Sequence, residues 1–119
     1  MEEFGPYPAI VRDWHDGDTA HLDLDLGFGF ELRAYNLDGN PRLSARVYGI
    51  NAPELSTAAG KRARTYARKL CPADTAVRVT SHGWDKYGGR FDATIILPDG
   101  KDFGDEMLAA GHAVVLIEK

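Results

Sequence analysis

Apolar residues alternate with polar ones along most of this chain, and the period changes only where helices are expected. Residues 19–26 show the alternation best. Ala20, Leu22, Leu24 and Leu26 fall on one side of an extended chain, and His21, Asp23 and Asp25 on the other. A period of two predicts a half-buried antiparallel strand. Shorter apolar runs predict strands over 8–15, where Ile10, Val11 and Trp14 are the apolar members, and over 30–37, 43–50, 75–81, 90–97 and 113–117. Turn chemistry separates them at Asp16-Gly17, Asp38-Gly39-Asn40-Pro41, Asp85-Lys86-Tyr87-Gly88-Gly89 and Pro98-Asp99-Gly100. Gly27-Phe28-Gly29 inside a strand pattern predicts a bulge or sharp bend. The absence of a following helix start argues against a phosphate-cradling loop.

Ala59, Ala63, Tyr66, Ala67 and Leu70 recur at helical spacing and predict a helix over 56–70, stopped by Pro72. A short second helix is expected over 103–110, with Asp102 as N-cap and Gly111 at its end. Many strands joined by tight turns, with one main helix and one late short helix, predict a mainly β fold with α additions, of OB-like barrel size. The 119 residues suit a single domain over 1–119 with a modest core.

Composition adds constraints. The hydrophobic fraction of 44% and charged fraction of 27% are those of an ordinary globular protein. No apolar run approaches the roughly 20 residues that span a bilayer, so no membrane role is expected. The opening Met1-Glu2-Glu3-Phe4-Gly5-Pro6 does not read as a signal peptide. Cys71 is the only cysteine, so a reducing, cytoplasmic setting is expected, with Cys71 as a small buried apolar residue. The net charge of -4 counts against generic nucleic-acid binding. Lys61, Arg62, Arg64, Arg68 and Lys69 nevertheless crowd into nine residues, a local basic patch whose ordinary reading is a solvated helix face. His15, His21, His82 and His112 show no metal-ligand spacing.

Three segments collect the chemically interesting groups: Asp16-Gly17-Asp18-Thr19, Arg46-Val47-Tyr48-Gly49-Ile50-Asn51-Ala52-Pro53-Glu54, and Asp85-Lys86-Tyr87-Gly88-Gly89-Arg90. Each has a plain structural reading as a hairpin turn or, for Pro53-Glu54, as helix-start chemistry. Arg46 and Arg90 are harder to dismiss, because each sits in an apolar strand pattern where a buried guanidinium needs an acid or an anion. Taken together, two arginines, several oxygen ligands and a spare carboxylate are what metal-assisted phosphodiester hydrolysis requires.

In this order and at these separations, the three segments resemble the family of staphylococcal-nuclease-like domains. Gly60-x-x-Ala63 and Asp105-Glu106-Met107-Leu108-Ala109-Ala110-Gly111-His112-Ala113 extend the likeness, which runs from about Ile10 to Ile117. The resemblance implies a five-stranded OB-like barrel with one main and one short helix, lacking the family's C-terminal helix. It implies Ca²⁺, or another divalent cation, held by Asp18, Asn51 and the carbonyl of Ala52. Glu54 would be the general base, Arg46 and Arg90 the phosphate-binding catalytic arginines, and Lys86 and Tyr87 the contacts to a neighbouring phosphate. The implied activity is endonucleolytic cleavage of DNA and/or RNA leaving 3′-phosphate ends. Compact forms of this kind occur in bacteria and their phages.

Some positions depart from the family's pattern. Asn51 stands where the best-known member has aspartate, which predicts weaker Ca²⁺ binding. Ile117 and Lys119 stand where that member has tyrosines, leaving Trp84 or Tyr87 as substitute base platforms. Gly89 lengthens the hairpin ahead of Arg90. A partner chain or homodimer is a candidate cover for surface left open by the missing helix. The alternative to catalysis is a barrel that binds nucleic acid or protein without cleaving.

Overall fold

The alternation over 19–26 is realised as one stave of a closed barrel. The structure, a computed structural model, describes residues 3–86 and 89–116. Its elements are β1 (Phe4–Trp14), β2 (Thr19–Asp25), β3 (Glu31–Leu32), β4 (Ser44–Val47), β5 (Ile50–Asn51), α1 (Ala58–Leu70), β6 (Thr75–Trp84), β7 (Phe91–Ile96), α2 (Phe103–Ala109) and β8 (Val114–Val115). Five strands close on themselves in the order β1-β6-β7-β4-β2 and back to β1. Four seams are antiparallel, while β4 and β7 run parallel, with Ala45 opposite Phe91, Arg46 opposite Asp92 and Val47 opposite Ala93. Closure leaves the barrel proper without free edges. Among the described residues no helix is long and apolar enough to cross a membrane.

Inward positions obey the period of two. Val11, Ala20, Leu22, Ala45, Val47, Val79, Ala93 and Ile95 are essentially inaccessible. The largest buried side chain is Trp14. Its ring stacks on Phe103 of α2 at 4.2 Å, and its indole N–H donates to the Cys71 carbonyl at 3.0 Å. One side chain thereby ties β1 to α2 and to the end of α1. Burying a side chain of this kind contributes roughly 1.5–3 kcal/mol, and the aromatic pair about 1 kcal/mol more. Cys71 is buried as expected, and burial pushes its thiol up to about 11.

The helices sit where the period changes. Thr57 caps α1 by accepting from the Gly60 N–H at 2.9 Å, and Gly60, Ala63 and Ala67 form its buried stripe. Asp102 caps α2, accepting from the Asp105 N–H.

The first strand begins at Phe4 rather than at residue 8, and the expected 43–50 strand breaks at the Tyr48-Gly49 turn into β4 and β5. Two further strands have different limits. The run over 30–37 yields only Glu31–Leu32. The near part of β2, Thr19–His21, is already paired with β4, so β3 meets only Leu24 and Asp25. Beyond it the Ala34 N–H donates to the Asp23 carboxylate at 2.7 Å, and an isolated bridge joins Tyr35 to Pro41. At the other end, β6 continues past Ser81 to Trp84 through a register shift at which Gly83 takes a φ of 93°.

Candidate functional site

The three segments singled out in the sequence meet at one cleft of about 490 Å³ on the outer face of the barrel. The register explains the meeting. Thr19, Arg46 and Asp92 lie side by side across β2, β4 and β7. Their neighbours Ala20, Ala45, Val47, Phe91 and Ala93 point into the core, so this row points outward. Arg90 precedes Asp92 by two and shares its side of the chain. The parallel β4–β7 seam therefore sets Arg46 and Arg90 on one face, and both line the cleft.

Opposite the arginines stand the oxygen-bearing groups. Asp18 is 6% exposed, and its Oδ2 accepts from the Ala52 N–H at 2.9 Å. Its own backbone N–H donates to Asp16 Oδ1 at 3.0 Å, and its carbonyl accepts from the Val47 N–H at 2.8 Å. The Arg46 guanidinium lies 3.7 Å from Asp18 Oδ2. Burial pushes the Asp18 carboxyl up to about 6, assisted by the nearby Asp16 carboxylate and opposed by the Ala52 N–H and Arg46.

Glycines bring these parts close. A Cβ on Gly17 would sit 2.8 Å from the Ala63 Cβ and 2.9 Å from the Ala52 Cβ. The Asp16–Thr19 turn thus packs directly on α1 and on the segment after β5. A Cβ on Gly60 would overlap the Glu54 carbonyl oxygen. The Thr57 N–H also donates to that oxygen at 3.0 Å. The first turn of α1 thereby fixes the backbone of Glu54, whose side chain is exposed at the cleft.

Of the expected site residues, Asp18, Arg46, Asn51, Ala52, Glu54, Lys86 and Arg90 all line this cleft. Tyr87 lies outside the described residues, as do Ile117 and Lys119. Trp84 is 73% exposed and lines a separate apolar groove with Phe4 and Phe91 rather than the cleft.

Sequence reasoning assigned no role to three further residues. Asp16 lines the cleft beside Asp18, and its only sequence signal was its place ahead of Gly17. Asp85 is 6% exposed and accepts from Arg90 Nε at 3.3 Å. The backbone bond from the Asp85 N–H to the Arg90 carbonyl, 2.9 Å, closes the hairpin beneath that pair. Thr19 donates to Asp18 Oδ1 at 3.3 Å and accepts from Arg90 Nη1 at 3.5 Å, linking the acidic and basic sides.

A larger hollow of about 620 Å³ lies elsewhere on the barrel wall, beside β1 and β6. There Arg12 and Arg33 pair with Asp23 at 2.8 and 3.7 Å, and none of the expected site residues is present.

Among the described residues, no three His, Cys, Asp or Glu side chains converge as a ready metal cluster. The side chains on this side of the cleft that could ligate a cation offer oxygens, from the Asp16, Asp18 and Glu54 carboxylates and the Asn51 amide, and Ala52 lines the cleft beside them. That set suits a hard cation and no soft one, and the crowding of Asp16 on Asp18 is what a cation would relieve.

A comparison with curated proteins finds no match. The family model described as staphylococcal nuclease homologue matches residues 44–119, a stretch that holds every expected site residue except Asp18. The match covers more than half of the chain, and with the closed barrel it shows that this protein belongs to the staphylococcal nuclease family.

Proposed function

We propose that the protein is a metal-dependent phosphodiester hydrolase that cuts DNA and/or RNA internally and leaves 3′-phosphate ends. The observation that supports this most is the convergence of Arg46 and Arg90 with Asp18 and Glu54 in one cleft. Two guanidinium groups on one face can hold a phosphate bidentately and meet the charge that grows on it in the transition state. Arg46 is 11% exposed at its side chain, so its interaction with an anion would be weakly screened. Glu54, open to the cleft, is the group to take a proton from the attacking water. Lys86 stands at the rim to contact the adjacent phosphate.

Asp18, the Asn51 side-chain oxygen and the Ala52 carbonyl are the donors that would hold Ca²⁺. Bound there, the cation would neutralise a phosphate oxygen and orient water. Asp85 and Thr19 act on Arg90, holding its guanidinium toward the cleft through the bonds described above.

A second reading, a barrel that binds nucleic acid without cutting it, draws on Asn51, which removes one negative charge from the donor set. Plasmid incubated with Ca²⁺, with and without chelator, separates the two. Hydrolysis predicts cleavage that needs the metal and disappears in Glu54→Ala. Tight binding with no cleavage under Ca²⁺, Mg²⁺ or Mn²⁺ would leave only the binding module.

A further inference from the structure

We infer that α1 is a track for single-stranded nucleic acid. A strand leaving the cleft would lay its phosphates along Lys61, Arg62 and Lys69, beside the stacked rings of Tyr66 and His112. The inference rests on the reading of the cleft as a nucleic-acid site and extends it to a surface that reading does not use.

The charge on α1 is one-sided. The helix carries Lys61, Arg62, Arg64, Arg68 and Lys69 and no acid, although the chain as a whole carries -4. An ordinary solvated face intersperses acids at i+4 to neutralise such a row. Among the described residues only Arg68 is paired, to Asp13 at 3.0 Å. Lys61, Arg62, Arg64 and Lys69 make no ion pair among the described residues. Unneutralised cations on one helix repel one another and await a polyanion.

Shape supports the same reading. Lys61, Arg62, Thr65, Tyr66, Lys69 and His112 line a shallow groove of about 320 Å³. Tyr66 and His112 stack at 4.6 Å with 29° between their planes. Aromatic rings beside a basic row are what unpaired bases stack on, whereas the bases of a duplex are not available to them. At about 1.5 Å per residue, Lys61 to Lys69 spans roughly 12 Å, enough for more than one phosphate.

Both walls of the groove lead into the cleft. α1 begins at the backbone of Glu54, as the Gly60 approach shows. His112 lies two residues before Val114, which pairs with Asn51, and Leu116 beyond it lines the cleft.

The test is binding, measured by fluorescence anisotropy in chelator so that no strand is cut. The probe is a labelled single strand of about 12 nucleotides. The track variant is Lys61→Ala/Arg62→Ala/Lys69→Ala, and a control of equal charge loss is Arg42→Ala/Arg78→Ala/Lys101→Ala. All six positions are exposed, and thermal melts check that both variants fold. The track variant should weaken binding about tenfold or more at low salt. It should also flatten the plot of log K against log salt by about 2, from ~0.7 per lost phosphate contact. The control should do neither. Equal effects in the two variants, or none in the track variant, overturn the inference, as does a duplex of the same sequence that displaces the strand on equal terms. Strand binding through α1 with no plasmid cleavage under metal would keep this inference and remove hydrolysis. Cleavage with an inert α1 would do the reverse, and a wild-type protein that binds no strand in chelator overturns this inference and leaves hydrolysis to the plasmid assay.

Discussion

The Arg46 guanidinium donates to the side-chain oxygen of Asn51 across 3.2 Å, so a residue assigned to phosphate and a residue assigned to metal hold each other. Asparagine gives that arginine a neutral partner. Asn51→Asp would give it an ionic one and add a negative charge to the oxygen donors. We expect Asn51→Asp to bind Ca²⁺ about tenfold more tightly, because Ca²⁺ affinity follows ligand charge. Calorimetric titration and the Ca²⁺ dependence of cleavage measure it, and an unchanged affinity would remove Asn51 from the ligand set.

Arg46→Ala and Arg90→Ala should each lower kcat by about 10²–10³, the usual cost of losing a transition-state stabiliser. Each should leave the melting temperature within a few degrees of wild type. Single-turnover cleavage of a short oligonucleotide reads the effect. Turnover that survives either change takes that arginine out of the chemistry.

Asp85→Asn tests the support beneath Arg90. With its partner neutral, Arg90 keeps its charge but loses its ionic anchor at 3.3 Å. The expected result is a fall in kcat of about tenfold or more, smaller than for loss of Arg90 itself. The double variant Asp85→Asn/Arg90→Ala should be no worse than Arg90→Ala alone, and additive losses would mean that Asp85 acts independently.

The pH dependence of the metal-free protein follows from Asp18. Its carboxyl sits near 6 in the fold against 3.8 ordinarily, so the folded state holds that proton more tightly than the unfolded chain does. The stability this group lends is complete below about pH 3.8 and is lost as pH rises through 6. In chelator, Asp18→Asn should therefore be more stable than wild type at pH 7, by about 3 kcal/mol, with the advantage shrinking toward pH 4. Urea melts across that range test it, and a variant less stable at pH 7 contradicts the assignment.

Gly60→Ala should go against helix propensity. In an open helix the change stabilises by about 1 kcal/mol. Here the added methyl meets the Glu54 carbonyl, so we expect destabilisation of roughly 1–3 kcal/mol and a loss of activity larger than the change in folded fraction explains. A more stable, fully active Gly60→Ala would show that α1 does not set the position of Glu54.

Much of the fold was legible because local rules and tertiary structure agree. The period of two over 19–26, the helical spacing from Ala59 to Leu70 and the Asp102 cap all appear where the pattern places them. The 30–37 run misled because its apolar residues serve a bend stitched to Asp23, and which strand already occupies an edge is not written locally. The parallel β4–β7 seam was invisible for the same reason. The site was legible as a set of residue types, but Asp85 and Thr19 were not, since their importance lies in which arginine they touch.

The parallel seam has a consequence in time. On the ribosome Arg46 emerges well before Arg90, with α1 and β6 between them, and no hairpin can bring the two together early. They become neighbours only once β7 has been made and has paired with β4. Whatever reaction needs both guanidinium groups is therefore withheld from the nascent chain until that non-local seam has formed.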